Sequence, residues 1–421
     1  MASFLERTKQ RLHDILRKTE KYTKTDMVYL AKGGTWLTLG HIVAVISSFL
    51  LTIAFANLLP KEAYGTYKYI LSIAGMIMAL SLTGFKTAVV QSVARGFEGV
   101  LKAAFKTNLR WSMGMPAVSL AGAIYYFLND NTTLAVSLLI IGFFSPLLSS
   151  SGLYSMFLTG KKEFKTTAIY EAFNNIIPAL SLFIALLITQ KPVALVFVYF
   201  FSTTAVSLAL YFYTLWKYKP TDITDPSSIS YGKHLSAMNI LGTIVVYVDR
   251  VLVFHYLGAA QLAIYAFATV MPEQIKALLS KNIAALALPK FSEKSMTEIK
   301  ANISGRMIKA GLAIATMTAL YIIAAPYIFK IFFPQYFESV FYSQIFSISL
   351  MAALYVVPIN ILQSQNMTQA LYRFNTAAPI VQIILLFFLT SSYGLAGAIT
   401  AQITAKFFNL CLSLVLLARA R

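Results

Sequence analysis

Acidic residues are scarce in this sequence. Asp and Glu number 16 against 35 Lys and Arg, and charged residues of both signs fill only 12% of its 421 positions. Soluble domains carry about 25% charged residues. With a mean hydropathy of +0.68, a water-soluble domain is excluded and a polytopic membrane protein is expected. Cysteine is nearly absent: Cys411 alone rules out an internal disulfide framework and a Cys-x-x-Cys pair. The four histidines, His13, His41, His234 and His255, are scattered, and His41 and His255 read as satisfied helix or interface residues. There is no Walker-type phosphate loop, no HExxH and no DxD-like acidic motif in a polar segment. No enzyme, metal site or cofactor is therefore expected. No cleavable signal peptide is expected either. Residues 1–25 are basic and amphipathic without an apolar core. They read either as a surface helix, with Phe4, Leu5, Leu12, Ile15 and Leu16 against anionic lipid, or as a disordered basic tail.

What is plentiful is apolar sequence. Windows near the ~20-residue spanning length fall at about 36–59, 67–90, 111–128, 133–158, 168–189 and 192–215, then at about 234–257, 260–288, 307–330, 340–364, 374–391 and 394–418. These predict twelve spans in two sets of six. The expected organisation is a basic cytoplasmic segment (1–27), a first six-helix bundle (28–216), a polar cytoplasmic linker (217–233) and a second bundle (234–421). With an offset of 198, FANLLPKEAYGTY (55–67) lies on VFHYLGAAQLAIY (253–265), an apolar helix, a tight turn and a new helix in each. Identity is slight, but the common rhythm suggests a parallel repeat, which transporters often use to hold substrate between halves.

The basic residues orient these spans. Twenty-seven of the 35 fall on one side, four (Lys61, Lys68, Lys191 and Lys330) on the other, and Arg250, Lys276, Lys281 and Lys406 lie within spans. Cytoplasmic loops hold the excess of Lys and Arg, so both termini are placed in the cytoplasm. The same distribution accounts for the net charge of +19 without a nucleic-acid partner.

Within the spans, one stretch stands out: ILGTIVVYVDRVLVFHYLG (240–258) carries Asp249 and Arg250 near its middle. A charge at membrane depth costs about 3 kcal/mol on insertion scales, so neither side chain should face lipid. Two readings stay open, a polar cavity lined by this helix or an ion-pair staple between helices. On the eighth span Glu273, Lys276 and Lys281 occur in PEQIKALLSKN, and Glu273 and Lys276 are spaced to pair on one face. On the twelfth span Gln402, Lys406 and Asn409 form a polar stripe. Snorkelling is the competing reading for Lys281 and, less so, for Lys406. Glu171 and Asn174 lie on the fifth span before Pro178. The second-half interior sums to four cations, Arg250, Lys276, Lys281 and Lys406, against Asp249 and Glu273. Such a balance suits an anionic group such as phosphate. Tyr247, Tyr256 and Tyr265 could pack on sugar rings, or serve as belt or core.

The stretch PKEAYGTYKYILSIAGMIMALSLTGFKTAVVQSVARG (60–96) resembles the second-helix signature of bacterial oligosaccharide flippases, and YVDRVLVFHYLGAAQLAIYAFA (247–268) is similar to their seventh-helix Asp-Arg motif. That family belongs to the superfamily of multidrug and toxic-compound exporters and lipid II flippases. The resemblance implies an all-α polytopic fold with twelve transmembrane helices, its two six-helix bundles related by a pseudo-two-fold along the membrane normal. They would form a V around a cavity with alternating access. It implies movement of a polyprenyl (undecaprenyl) pyrophosphate-linked oligosaccharide across a bacterial plasma (inner) membrane, for lipopolysaccharide, O-antigen or other surface polysaccharide. Asp249 and Arg250 take the motif positions. Lys276, Lys281, Lys406, Glu273, Gln402 and Glu171 join them as cavity candidates from burial and charge alone. Partners would be the lipid-linked glycan, membrane lipids, glycosyltransferases and a polysaccharide polymerase. The alternative is an ion-coupled antiporter of drugs or organic cations, which needs a net acidic cavity. A membrane-embedded glycosyltransferase would need large external loops with carboxylates, and the loops here are short.

Overall fold

The structure, a computed structural model, describes residues 27–292, 296–365 and 367–419. The basic segment expected over 1–27 lies, except for its last residue, outside them. Nine helices precede a non-helical link at 219–225: α1 (Met27–Leu58), α2 (Lys61–Met78), α3 (Phe85–Ala94), α4 (Val100–Trp111), α5 (Gly114–Leu128), α6 (Thr132–Ser151), α7 (Leu153–Gly160), α8 (Phe164–Ile188) and α9 (Pro192–Tyr218). After the link come α10 (Pro226–Ser292), α11 (Met296–Phe332), α12 (Ser339–Ser347), α13 (Val356–Ser364) and α14 (Thr368–Arg419), with 3-10 turns at Pro334–Tyr336 and Ile348–Tyr355. No strand occurs among the described residues.

The reason is the solvent. A bilayer core offers no hydrogen bonds, so an apolar segment must satisfy its own amides, and helices do so within one segment. Buried hydroxyls follow the same rule: Ser72 and Thr318 each donate to the carbonyl one turn back at 2.8 Å. The outer surface is correspondingly apolar, with Leu128, Phe143, Ile188 and Ile331 open on it. Among the described residues eight stretches are long and apolar enough to cross a membrane. Those in α10 and α14 run to 53 and 52 residues, too long for one ~20-residue crossing. Each is broken once, at Gly258 (φ +84°) and Gly394 (φ +59°), backbone values that glycine adopts without a Cβ clash.

The halves of the chain meet along a seam between α2 and α10. A Cβ on Gly65 would stand 1.8 Å from the carbonyl oxygen of Ala259, and one on Gly75 would stand 2.3 Å from the ring of Tyr247. The two turns of the apparent repeat, at 58–61 and at Gly258, are thus neighbours in space. The largest core cluster spans the seam, joining Phe55, Tyr64 and Tyr67 to Tyr265, Phe267 and Tyr336.

Each end of the molecule is fastened differently. At the end holding the α1–α2 turn, Lys61 pairs with Glu338. There the Asn57 side chain donates to the Phe332 carbonyl (3.1 Å), and Gln335 donates to the Asn57 carbonyl (3.2 Å). Beneath them the rings of Tyr64 and Tyr336 flank Phe267 at 4.9 and 3.9 Å. At the other end the link is strapped to the α3–α4 elbow. Arg95 pairs with Asp225 (3.1 Å), Lys102 with Asp222 (2.9 Å), and the Gly99 N–H donates to the Ile223 carbonyl (3.0 Å). Asp225 also accepts from the N–H and hydroxyl of Ser227 at the start of α10. Those bonds, the hydroxyl foremost, hold its carboxyl below the usual range.

Close backbone approach makes Gly65 intolerant of even one methyl. Gly65→Ala is expected to destabilise by about 1–3 kcal/mol, the usual cost of overpacking. Gly242→Ala, with nothing within 4 Å, should be neutral or slightly stabilising through helix propensity. Melting temperatures of the two variants in one detergent check this, and equal values would dissolve the seam.

Candidate functional site

The polar side chains of the second half converge because α10 and α14 double back at their glycines. Asp249, nine residues before Gly258, faces Tyr265 on the returning arm. Its Oδ2 accepts from the Tyr265 hydroxyl (2.7 Å) and from Gln402 Nε2 on α14 (2.9 Å), while Oδ1 accepts from the Arg250 N–H (2.8 Å). A carboxylate has about four acceptor positions, so three of them are filled. Gln402 in turn accepts from Gln382 Nε2 at 3.3 Å.

One helical turn deeper on α14, Lys406 pairs with Glu273, and Lys276 reaches the other carboxylate oxygen at 3.5 Å. Lys406 also lies 4.0 Å from the ring centroid of Phe346 on α12. A cation on an aromatic face gains about 2 kcal/mol when desolvated, which helps keep an ammonium in the interior. These groups line a cavity of about 350 Å³, closed further by Val245, Val246, Tyr355 and Asn409. Asn409 Oδ1 is buried there without a hydrogen-bond partner.

A second cavity of about 260 Å³ adjoins it and shares Arg250, Thr269 and Glu273 with the first. Its remaining wall includes Tyr64 and Lys68 of α2. Among the described residues neither Arg250 nor Lys68 belongs to an ion pair, whereas Glu273 is shared by two lysines. The two carboxylates are thus taken, and two cations, one from each half of the chain, are left facing open space. An unpaired buried charge is costly, and an anion entering between Lys68 and Arg250 removes that cost.

The structure brings together six of the eight expected residues: Asp249, Arg250, Glu273, Lys276, Gln402 and Lys406. Among the described residues neither Asp249 nor Arg250 forms an ion pair with another helix, as a staple between helices would require; Asp249 is held by neutral donors. Glu171 stands apart from both cavities and accepts from Ser155 at 2.9 Å. The side chain of Lys281 lies outside the described residues. Of the tyrosines, Tyr265 orients Asp249, Tyr247 packs on Gly75 in the seam, and Tyr256 stands beside Phe387. The sequence places Lys68 on the outer side, at the very edge of the 67–90 window. The helix opens at Lys61 rather than at the apolar window edge near 67, so Lys68 stands two turns inside α2. The missed signal was its spacing, four residues after Tyr64 and seven after Lys61, on the face that carries the α2 aromatics.

Apolar-faced helices fastened around charged internal cavities define a multi-pass membrane protein. The chain belongs to the polysaccharide biosynthesis protein family, which it matches over residues 30–295. No curated protein matches it by sequence. Its fold is similar to that of a multidrug resistance MATE family transporter in an inward-facing conformation, at 11% identity and a TM-score of 0.74, covering 92% of this chain and 98% of that one. The lipid II flippase MurJ, in an inward closed conformation, aligns at 14% identity and a TM-score of 0.66, covering 90% and 86%. A MOP superfamily transporter from Pyrococcus furiosus, described by the reverse polarity of its binding pocket, aligns at 11% identity and a TM-score of 0.59, covering 93% and 95%. At these identities the likeness is one of fold.

Glu273 is the only described carboxylate serving Lys276 and Lys406. Glu273→Gln should therefore cost more than Lys276→Gln, by about 1–3 kcal/mol, the range for losing one partner of a buried polar contact. Thermal melts of the purified variants check the order, and a reversed order would mean that the lysines are held by other groups.

Proposed function

We propose that this protein is a flippase that carries a polyprenyl-pyrophosphate-linked oligosaccharide across the bacterial cytoplasmic membrane for surface polysaccharide synthesis. The observation that carries this reading is the pair of unmatched cations, Lys68 and Arg250, facing one internal cavity from opposite halves. A pyrophosphate esterified at both ends presents one negative charge on each phosphate and many acceptor oxygens. A guanidinium grips such a group as a fork, and an ammonium adds a point charge. Family membership supports the glycan part of the reading. The lipid chain would remain in the bilayer while the head group crosses inside. Lipopolysaccharide or O-antigen assembly is the destination such a substrate would serve, with glycosyltransferases and a polymerase as neighbours in the membrane.

The proposed topology has twelve crossings. Dividing α10 and α14 at their glycines turns the eight long stretches into ten. The pairs α2–α3 and α4–α5 supply two more. The Lys and Arg excess then sits in the cytoplasm with both termini. The end fastened by Lys61–Glu338 becomes the outer one, and it must part for outward release. A cation antiporter would require free carboxylates in the interior. Both Asp249 and Glu273 are already engaged, which disfavours that reading.

Complementation of a flippase-deficient strain tests the proposal. Arg250→Ala and Lys68→Ala should each cut surface glycan about tenfold to a hundredfold, the range for losing a charged hydrogen bond, at unchanged membrane level. Arg250→Lys should restore part of the loss, since charge returns and the fork does not. Normal export by Arg250→Ala at wild-type protein level would overturn the reading. So would resistance to organic cations that follows the same substitutions.

A further inference from the structure

Cations also gather away from the two cavities, on α4. Lys102, Lys106 and Arg110 are spaced four residues apart, so they form one stripe along this helix. The opposite face is fixed inside the bundle. Leu101 and Ala104 are buried there. Asn108 accepts from the Leu82 N–H (2.8 Å), and its amide nitrogen donates to the Ser150 hydroxyl (3.3 Å). On the flank Phe105 stacks on Tyr211 of α9 at 4.4 Å. With Asn108 inward, the stripe points out of the bundle, and its three cations are exposed. Lys102 is tied to Asp222 of the link at 2.9 Å. Lys106 and Arg110 belong to no ion pair among the described residues. Beyond Arg110 the exposed side chains are Trp111, Met113, Val118 and Ile124, a surface suited to lipid, with the tryptophan where such rings gather at a membrane interface.

Depth decides what the two free cations meet. The α5 helix has 15 residues, about 22 Å of length, against about 30 Å of hydrocarbon core. The missing ~8 Å is made up by about five residues before it, and Arg110 is among them. Lys102 stands ~12 Å from Arg110 along the axis, more than the roughly 5–8 Å depth of one headgroup layer. Arg110 therefore reaches the acyl boundary while Lys102 stays at the link. A guanidinium at that depth either snorkels to water or takes an anion. Its way to water runs past Lys106, a like charge one turn nearer the surface. A phosphate lodged between the two answers both. We infer that the outer face of α4 is a binding site for an anionic phospholipid, in the leaflet on the side of the 219–225 strap. Arg110 grips the phosphate as a fork and Lys106 adds a point charge. A zwitterionic head group would carry its own ammonium into a stripe of three cations, where like charges disfavour one another. In the topology proposed above this leaflet is the cytoplasmic one, whose surface is negative. The site does not depend on what the cavities carry.

The test uses the full chain carrying Trp36→Phe and Trp216→Phe, which leaves Trp111 as its one tryptophan, reconstituted in bilayers. Phosphatidylglycerol or phosphatidylcholine with brominated acyl chains quenches Trp111 from the adjoining lipid position. The expected result is that phosphatidylglycerol outcompetes phosphatidylcholine there by about fivefold to thirtyfold, the worth of one to two cations on an anionic lipid. Adding Lys106→Gln and Arg110→Gln together should bring the ratio near parity. Quenching by brominated phosphatidylcholine should stay as in the parent chain, which shows that α4 keeps its place. Arg110→Lys should keep part of the preference, since charge remains and the fork does not. Equal competition by the two lipids in the parent chain overturns the inference, and so does a preference that the double variant retains. Farnesyl pyrophosphate that relieves the phosphatidylglycerol quenching when added in small proportion overturns it too, by assigning the stripe to a pyrophosphate lipid.

Discussion

A carboxylate at membrane depth has no bulk water to fall back on, and the donors around Asp249 come from three places: its own helix, the returning arm of α10, and α14. Satisfying that one group draws together the arms on either side of Gly258 and brings in the helix after Gly394. Once they are together, Glu273 and Lys406 fall into contact, and Lys276 follows. The interior polarity of the second half is therefore one connected network rather than separate residues in an apolar wall. Polar networks of this kind stabilise a unique arrangement only when every member is satisfied. The members without a counter-charge, Arg250 and Lys68, are the ones that face open volume.

Much of this was legible in the chain. Lipid imposes a harsh rule on backbone and charge, so apolar windows and a charged pair within one of them carry strong information. The breaks at Gly258 and Gly394 fall where the windows part, and Gln402, Lys406 and Asn409 share a face as their spacing predicts. The pairing of Glu273 with Lys276 follows from i,i+3 spacing. Its sharing with Lys406 does not, since a contact across 133 residues depends on how α10 and α14 lie against each other. Lys68 was hidden for a different reason. A helix that begins with KEAYGTYK has a polar first turn, so the start of hydrophobicity and the start of the helix differ by about two turns. Glu171 misled in the opposite direction: a lone acid on a membrane helix looks like a cavity group, but a neighbouring serine hydroxyl supplies its donor.

The seam and the two fastened ends divide the labour of holding the halves together. The seam is backbone against backbone at Gly65 and Ala259, with little freedom to slide. The end at Lys61 and Glu338 is made of side chains that rotate away one by one. The strap at 219–225 is tied by ion pairs and by the main chain at Gly99, and it also joins α9 to α10 covalently. Motion between the halves is thus least expensive at the Lys61 end and most constrained at the strap.

The reversal of α10 at Gly258 also bears on biogenesis. Asp249 and Tyr265 are 16 residues apart, whereas Gln402 lies 153 residues beyond Asp249. A ribosome that has made the arms of α10 has not yet made α14. The helix bearing Asp249 and Arg250 must enter the bilayer before its last donor exists, and at that moment only the hairpin closed at Gly258 offers the carboxylate a side-chain partner beyond the Arg250 N–H. Tyr265 then acts as a chaperone built into the chain, holding a charge in place until the final helix arrives to share it.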